Sequence, residues 1–206
     1  MFLKICGITR LSDALHAVEH GADALGFVFW PESPRHISPE RAAAIIAALP
    51  PGVETVGVFV NESVEGIRVV VAQTGISTIQ LHGDEAPAYA DALDWPVLRA
   101  ITVDQVGQAS TAWPPGTTFL LDTADPVRRG GTGKTVDWQR AAVAARGRRI
   151  VLAGGLTPDN VVDAIATVRP LGVDVSSGVE DAPGVKNADK VARFLASARS
   201  AFETQS

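Results

Sequence analysis

Short apolar runs return along the whole chain, and polar, helix-like stretches fill the intervals between them. The runs are FLKIC from Phe2, ALGFVF from Ala24, TVGVFV from Thr55, TIQLH from Thr78, VLRAI from Val97, TFLLD from Thr118, IVLAG from Ile150 and VDVSS from Val173. Each is rich in Val, Ile, Leu and Phe and about as long as a buried strand. The intervals carry helix signals. Ser38-Pro39-Glu40 supplies an N-cap, a first-turn proline and an early acid ahead of RAAAIIAAL. Thr157-Pro158-Asp159 repeats that signal before NVVDAIATV. A helix is predicted over Ser12 to His20, with Leu11, Leu15, Val18 and Ala22 as its apolar stripe. A last one is predicted from about Ala188 to Phe202, before a polar ETQS tail.

Strict alternation of strand and helix predicts a parallel sheet covered by helices. Eight units share 206 residues, roughly 26 each, near the minimum for a parallel crossover with short loops. Eight is the number that closes a (β/α)8 TIM barrel, with a doubly wound open sheet as the competing arrangement. No linker-like shift in composition appears, so residues 1–206 read as a single α/β domain with its core over about 2–202.

Two-residue periodicity then assigns faces. Lys4 and Cys6 share a face of the first strand, Gln80 and His82 one of the fourth, Leu120 and Asp122 one of the sixth, and Asp174 and Ser176 one of the eighth. Four strands thus carry a polar residue at or beside their C-terminal ends, the rim where a barrel's βα loops place its chemistry. After the seventh strand, LAGGLTPDNV sets Gly154 and Gly155 just before a helix start. After the eighth, GVDVSSGVE sets Ser176, Ser177 and Gly178 in the matching position. Glycines admit close approach of backbone N–H groups to an anion, and serines add hydroxyl donors, so these two loops read as a phosphate site.

Other motifs carry less. GGTGKT at Gly130 to Thr135 fails as a nucleotide-binding P-loop, because Arg128 stands where that motif needs glycine. It reads as a glycine-rich lid after the sixth strand, with Lys134 as a rim cation. Arg35, behind Pro34 in WPESPRHIS, offers a stiffened two-pronged donor for a carboxylate. HAVEH at His16 to His20 matches the H-x-x-E-H spacing of one zinc peptidase class. The apolar stripe through Leu15 and Val18 turns both histidines to either side of it, toward solvent and away from the mouth, which sets the peptidase reading aside. Cys6 is the only cysteine, which excludes an internal disulfide and a multi-thiolate metal cluster. As a residue it is either a small buried hydrophobe or a reactive group at the barrel mouth.

Composition narrows the partners. Net charge is −5 with no basic run, against a nucleic-acid or anionic-membrane surface. The chain opens on a strand-like segment without a secretory signal, and no apolar stretch approaches the roughly 20 residues that span a bilayer, so a cytoplasmic setting is expected.

Taken in order, KICGITR, GFVFWPESPRHIS, VGVFVN, QLHGDE, LLDT, GGTGKTVDW, LAGGLTPDNV and GVDVSSGVEDAPGVKNADKV resemble the phosphoribosylanthranilate isomerase family of tryptophan synthesis over nearly the whole chain. The resemblance implies an Amadori rearrangement of a phosphorylated aminosugar, without metal or organic cofactor, by a monomer or homodimer. It implies Cys6 as general base and Asp122 as general acid. Arg35 corresponds to the holder of the anthranilate carboxylate, and His82 and Asp174 to supporting polar groups. Gly154, Gly155, Ser176, Ser177 and Gly178 correspond to the phosphate loops. Two positions depart from the family pattern: Val136-Asp137-Trp138 replaces the usual Phe-Asp-Trp, and Lys186-Asn187 replaces Lys-Asp. Both bear on helix packing and the rim.

Overall fold

Each of the eight apolar runs becomes a strand of one parallel sheet, and that sheet closes on itself. The computed structural model describes residues 1–123 and 135–205. The strands are β1 (Leu3–Cys6), β2 (Ala24–Val28), β3 (Glu54–Phe59), β4 (Thr78–Leu81), β5 (Val97–Ile101), β6 (Thr118–Leu121), β7 (Ile150–Leu152) and β8 (Gly172–Val175). They neighbour one another in chain order, and β8 returns to pair with β1 through Leu3–Val173, Lys4–Asp174 and Ile5–Val175. That last ladder excludes the open sheet. Around the barrel lie α1 (Leu11–Glu19), α2 (Pro39–Ile46), α3 (Val64–Thr74), α4 (Ala88–Ala92), α5 (Val106–Ala112), α6 (Trp138–Ala145), α7 (Val161–Val168) and α8 (Ala188–Glu203).

The pleat divides every strand between two cores. Leu3, Ile5, Leu25, Phe27, Ile79, Leu81, Phe119, Leu121, Ile150, Leu152, Val173 and Val175 pack outward with the helices in one large apolar cluster. Leu98, Ala100, Leu120, Val151 and Ala153 form a second, separate cluster inside the barrel on the β5–β7 side, with Phe2 packed against it. Cys6, Val28 and Val58 form a third, joined by Trp30. The interior also holds the polar side chains of Lys4, Gln80 and Asp174, all buried. Polar groups there need partners, because water does not reach them.

Helix starts follow the predicted chemistry with adjustments. Ser38 caps α2, its Oγ accepting the Arg41 N–H at 3.4 Å. Before α7 the Thr157 turn closes on itself: Asn160 Oδ1 accepts the Thr157 N–H at 2.8 Å, and Asn160 takes the N-cap position. Asn187 caps α8 by accepting the Lys190 N–H at 2.9 Å, so this departure from the usual Asp keeps the cap. Half of the stripe predicted for α1 stands, Val18 packing against the core and Ala22 being buried, and the other half is corrected. Leu11 and Leu15 are about 40% exposed, and the buried face is Ala14 and Ala17. The contact face of this short crossover is alanine, which lets the helix lie close to the strands.

One element has no counterpart in the sequence reading. A single 3-10 turn (Ser177–Val179) leads into a small antiparallel hairpin, β9 (Glu180–Ala182) with β10 (Val185–Lys186). Among the described residues, no helix is long and apolar enough to cross a membrane. The predicted lid at 130–134, with Lys134, lies outside the described residues.

Candidate active site

The site begins at the seam between β1 and β8. Lys4 points into the barrel with no exposure, and its Nζ meets Asp174 Oδ1 at 3.0 Å. The ladder that places Lys4 opposite Asp174 also makes them a buried ion pair. Burial works against the Lys4 charge, but Asp174 and the Cys6 sulfur prevail and hold its proton more tightly than usual. Burial raises Asp174, with Lys4 pulling the other way. One pleat further along β1, burial pushes the Cys6 thiol up, opposed by Lys4 and Lys186. Cys6 therefore rests as a thiol at neutral pH. Its sulfur fills room left by the missing side chain of Gly26 on β2, where a Cβ would lie 2.7 Å from Sγ.

The opposite wall comes from β4 and β6. Gln80 donates an amide N–H to His82 Nδ1 at 2.8 Å, which leaves the His82 proton on Nε2. That nitrogen faces Asp122 Oδ2 at 3.6 Å. Burial, reinforced by the Lys4 cation, lowers His82 to about 4, so the imidazole is neutral over the working pH range. Asp122 follows the last residue of β6. Burial raises it, although Oδ1 accepts the Thr123 N–H at 2.6 Å and the Thr123 hydroxyl at 3.3 Å. Lys4 acts electrostatically on Cys6, His82 and Asp122 alike, which ties thiol, imidazole and carboxyl to one interior. The loop carrying His82 is clamped from below. Glu85 accepts the N–H groups of Asn61 and Gly83 at 2.7 and 2.8 Å, and its charge is met by buried Arg99.

Loops seven and eight adjoin this wall. Gly154 and Gly155 are successive left-handed residues at φ +76° and +67°, a turn that L side chains rarely adopt. A Cβ on Gly154 would stand 2.9 Å from Asp122 Oδ1, so this loop passes directly beside the carboxyl. Gly178 has no room for a Cβ at all against the Leu156 carbonyl, which brings the two loops into backbone contact. Ser176 Oγ is buried and has no hydrogen-bond partner among the described residues. An unanswered buried hydroxyl is costly unless something docks there.

Arg35 reaches the rim from the β2–α2 loop. Its predicted fork is present, but it grips a carboxylate of the protein itself. Nε and Nη2 donate to Glu180 at 2.9, 3.2 and 2.7 Å. Lys186 Nζ meets the same carboxylate at 2.8 Å and also donates to the carbonyls of Cys6 and Ser176. Burial opposes the Glu180 charge, yet Arg35 and Lys186 hold its pKa below the usual range. The arm of Arg35 crosses Gly7, whose φ is +77° and where a Cβ would lie 2.7 Å from Arg35 Cδ.

The model of the family described as N-(5'-phosphoribosyl)anthranilate (PRA) isomerase matches residues 3–197. The chain belongs to that family. An isomerase of Trichlorobacter lovleyi carrying that name is 53% identical, covering 97% of this chain and 98% of its own. The crystal structure of the phosphoribosylanthranilate isomerase of Thermotoga maritima superposes with a TM-score of 0.89 at 45% identity, over 97% of this chain and 99% of that one. A second solved isomerase, in complex with reduced 1-(o-carboxyphenylamino)-1-deoxyribulose 5-phosphate, gives 0.85 at 42% identity over 97% and 99%. Membership makes the chain an isomerase of tryptophan biosynthesis built on a TIM barrel.

Against this family background, several site residues escape a reading of local sequence. Lys4 was legible only as a neighbour of Cys6 on one face, and its inward direction was the unused clue, since a cation inside a barrel requires a counter-ion. Gln80 shared its face with His82 in the same way. Glu180 carries no local signal and Lys186 enters only beside the Asn187 departure, because the hairpin that pairs them has no counterpart in the strand–helix alternation. The His16, Glu19 and His20 group is also corrected. The two imidazoles are not turned apart: their rings lie 4.2 Å from centroid to centroid, with ligand atoms of all three residues within 4.8 Å. They lie on the outer ring, with His16 Nε2 2.9 Å from the carbonyl of Ala188 at the start of α8 and His20 Nδ1 2.9 Å from the His16 carbonyl.

Proposed function

We propose that the chain converts N-(5'-phosphoribosyl)anthranilate into 1-(2-carboxyphenylamino)-1-deoxyribulose 5-phosphate by an Amadori rearrangement, with Asp122 as general acid and Cys6 as general base. The observation that carries this reading is the placement of a thiol at the end of β1 and a carboxyl just past β6, the latter 3.6 Å from His82 Nε2 and beside the Gly154 loop. Burial raises Asp122, which favours the protonated form that delivers a proton to the ribose ring oxygen. The C1'–O bond then breaks with its electrons on that oxygen, and the anilino nitrogen forms a C1' iminium. The small thiolate fraction of Cys6, favoured by Lys4 and Lys186 against burial, removes the C2' proton, and the C–H electrons form a C1'–C2' double bond as the nitrogen becomes neutral. Transfer of the C2' hydroxyl proton to C1' completes the ketone. The substrate has then gained one proton and lost one, and a proton passing from Cys6 back to Asp122 through solvent restores both groups for the next turnover.

The remaining residues have supporting tasks. Neutral His82, fixed by Gln80, aims an N–H at Asp122 and steadies the carboxylate left after proton delivery. Asp174 holds Lys4, whose field favours the thiolate. Gly154, Gly155, Ser176, Ser177 and Gly178 receive the phosphate, a reading supported by the unpartnered Ser176 hydroxyl and the left-handed glycine pair. Arg35 meets the anthranilate carboxylate. With a net charge of −5, attraction for a doubly anionic substrate is local to these groups.

Decay of anthranilate-type fluorescence on incubation with phosphoribosylanthranilate tests the activity. Cys6→Ala and Asp122→Asn each remove a proton-transfer group and lower kcat by about 10²–10⁴-fold with the fold retained. Near-normal turnover in both variants would falsify the assignment.

A further inference from the structure

Arg35 is the cation proposed to meet the substrate's carboxylate, yet most of its fork is already spent. Glu180 takes Nε and Nη2, and among the described residues Nη1 makes no hydrogen bond. We propose that Glu180 is a positioning residue: it sets Arg35 so that Nη1 reads the substrate's carboxylate, and it thereby makes the site prefer N-aryl aminosugar phosphates that carry that carboxylate. This rests on the isomerase reading above.

Three observations support it. The first is charge. Arg35 and Lys186 share the single carboxylate of Glu180, so the cluster keeps one uncompensated positive charge for an incoming anion. The second is rigidity. Glu180 and Lys186 are register partners across the β9–β10 hairpin, so their side chains lie on one face as a cross-strand pair. Lys186 in turn holds the backbone carbonyls of Cys6 and Ser176. The free edge of Arg35 is thereby located relative to both the proposed base and the proposed phosphate loop. The third is room. Gly7 lets the Arg35 arm lie flat across the end of β1, and the Thr9 hydroxyl ties the hairpin down through the Gly184 carbonyl at 2.5 Å. A long, rotamer-rich side chain held in this way loses little further freedom when a carboxylate arrives.

The test compares wild type with Glu180→Gln by calorimetry. The ligands are reduced 1-(o-carboxyphenylamino)-1-deoxyribulose 5-phosphate and its phenylamino counterpart without the carboxylate. Steady-state kinetics on phosphoribosylanthranilate accompany the titrations. Expected for E180Q are a ten-fold or greater rise in Kd for the carboxylated ligand and less than three-fold for the other. KM should rise ten-fold or more, with kcat moving less than three-fold. Equal losses on both ligands would show a merely structural role and overturn the proposal, as would unchanged binding of both. If E180Q loses its native circular dichroism, E180Q/K186M removes the cation left without a partner and is measured with the same expectations. Wild-type protein that fails to turn over phosphoribosylanthranilate overturns the isomerase reading itself, whereas normal wild-type turnover with equal ligand losses overturns this inference alone.

Discussion

His82 gives the sharpest quantitative test, because its environment makes stability depend on pH and a single substitution isolates its share. In the folded chain it titrates at about 4, against an ordinary 6.5, for reasons of burial first and the Lys4 cation second. Above pH 6.5 the imidazole is neutral in both folded and unfolded states and has no effect. As pH falls toward 4, the unfolded chain takes up a proton that the folded chain refuses, so stability is lost. Between pH 7 and 4.5 that loss works out at about 2–3 kcal/mol from this residue. Asp122 and Asp174 are shifted up and pull in the opposite sense, so the wild-type curve alone does not isolate the histidine. The comparison with His82→Gln does. Urea unfolding of both proteins at the two pH values should show wild type losing about 2–3 kcal/mol more than H82Q on acidification. Parallel losses in the two proteins would mean that His82 titrates near its solution value, and that the dry interior argued here is wrong.

Two further perturbations probe the same interior. At 3.0 Å and an effective dielectric of about 20, the Lys4–Asp174 attraction is about 5.5 kcal/mol before desolvation. Lys4→Met, which strands Asp174, should therefore cost about 3–5 kcal/mol in urea unfolding at pH 7.5, and K4M/D174L should recover most of it; a single variant within about 1 kcal/mol of wild type would count against a buried pair. Gly7→Ala should destabilise by about 1–3 kcal/mol through its positive φ. The same change should raise KM by displacing the Arg35 arm, so unaltered kinetics in a folded G7A protein would contradict the contact.

How much of this was legible in the sequence differs from layer to layer. All eight strands were visible as apolar runs, because strands covered on both faces carry hydrophobic residues at nearly every position. Cys6, His82, Asp122, Asp174 and Ser176 were placed by counting along strands, since a period of two leaves only two faces to choose from. Closure of the sheet was not fixed by the same pattern: an open sheet has the same alternation, and only the Lys4–Asp174 ladder between first and last strands distinguishes them. The α1 stripe shows the limit in a helix, where three or four faces compete and Leu15 lost its predicted contact to Ala14 and Ala17.

What the chain determined by itself is local: where strands and helices run, which residues face inward, and which glycines permit left-handed turns. What only the tertiary structure decided is partnership between distant residues. Lys4 finds Asp174 170 residues away, and Arg35 finds Glu180 at a separation of 145. Such pairs leave no periodic trace, because charge satisfaction inside a protein depends on which groups share a dry space and not on their spacing along the chain.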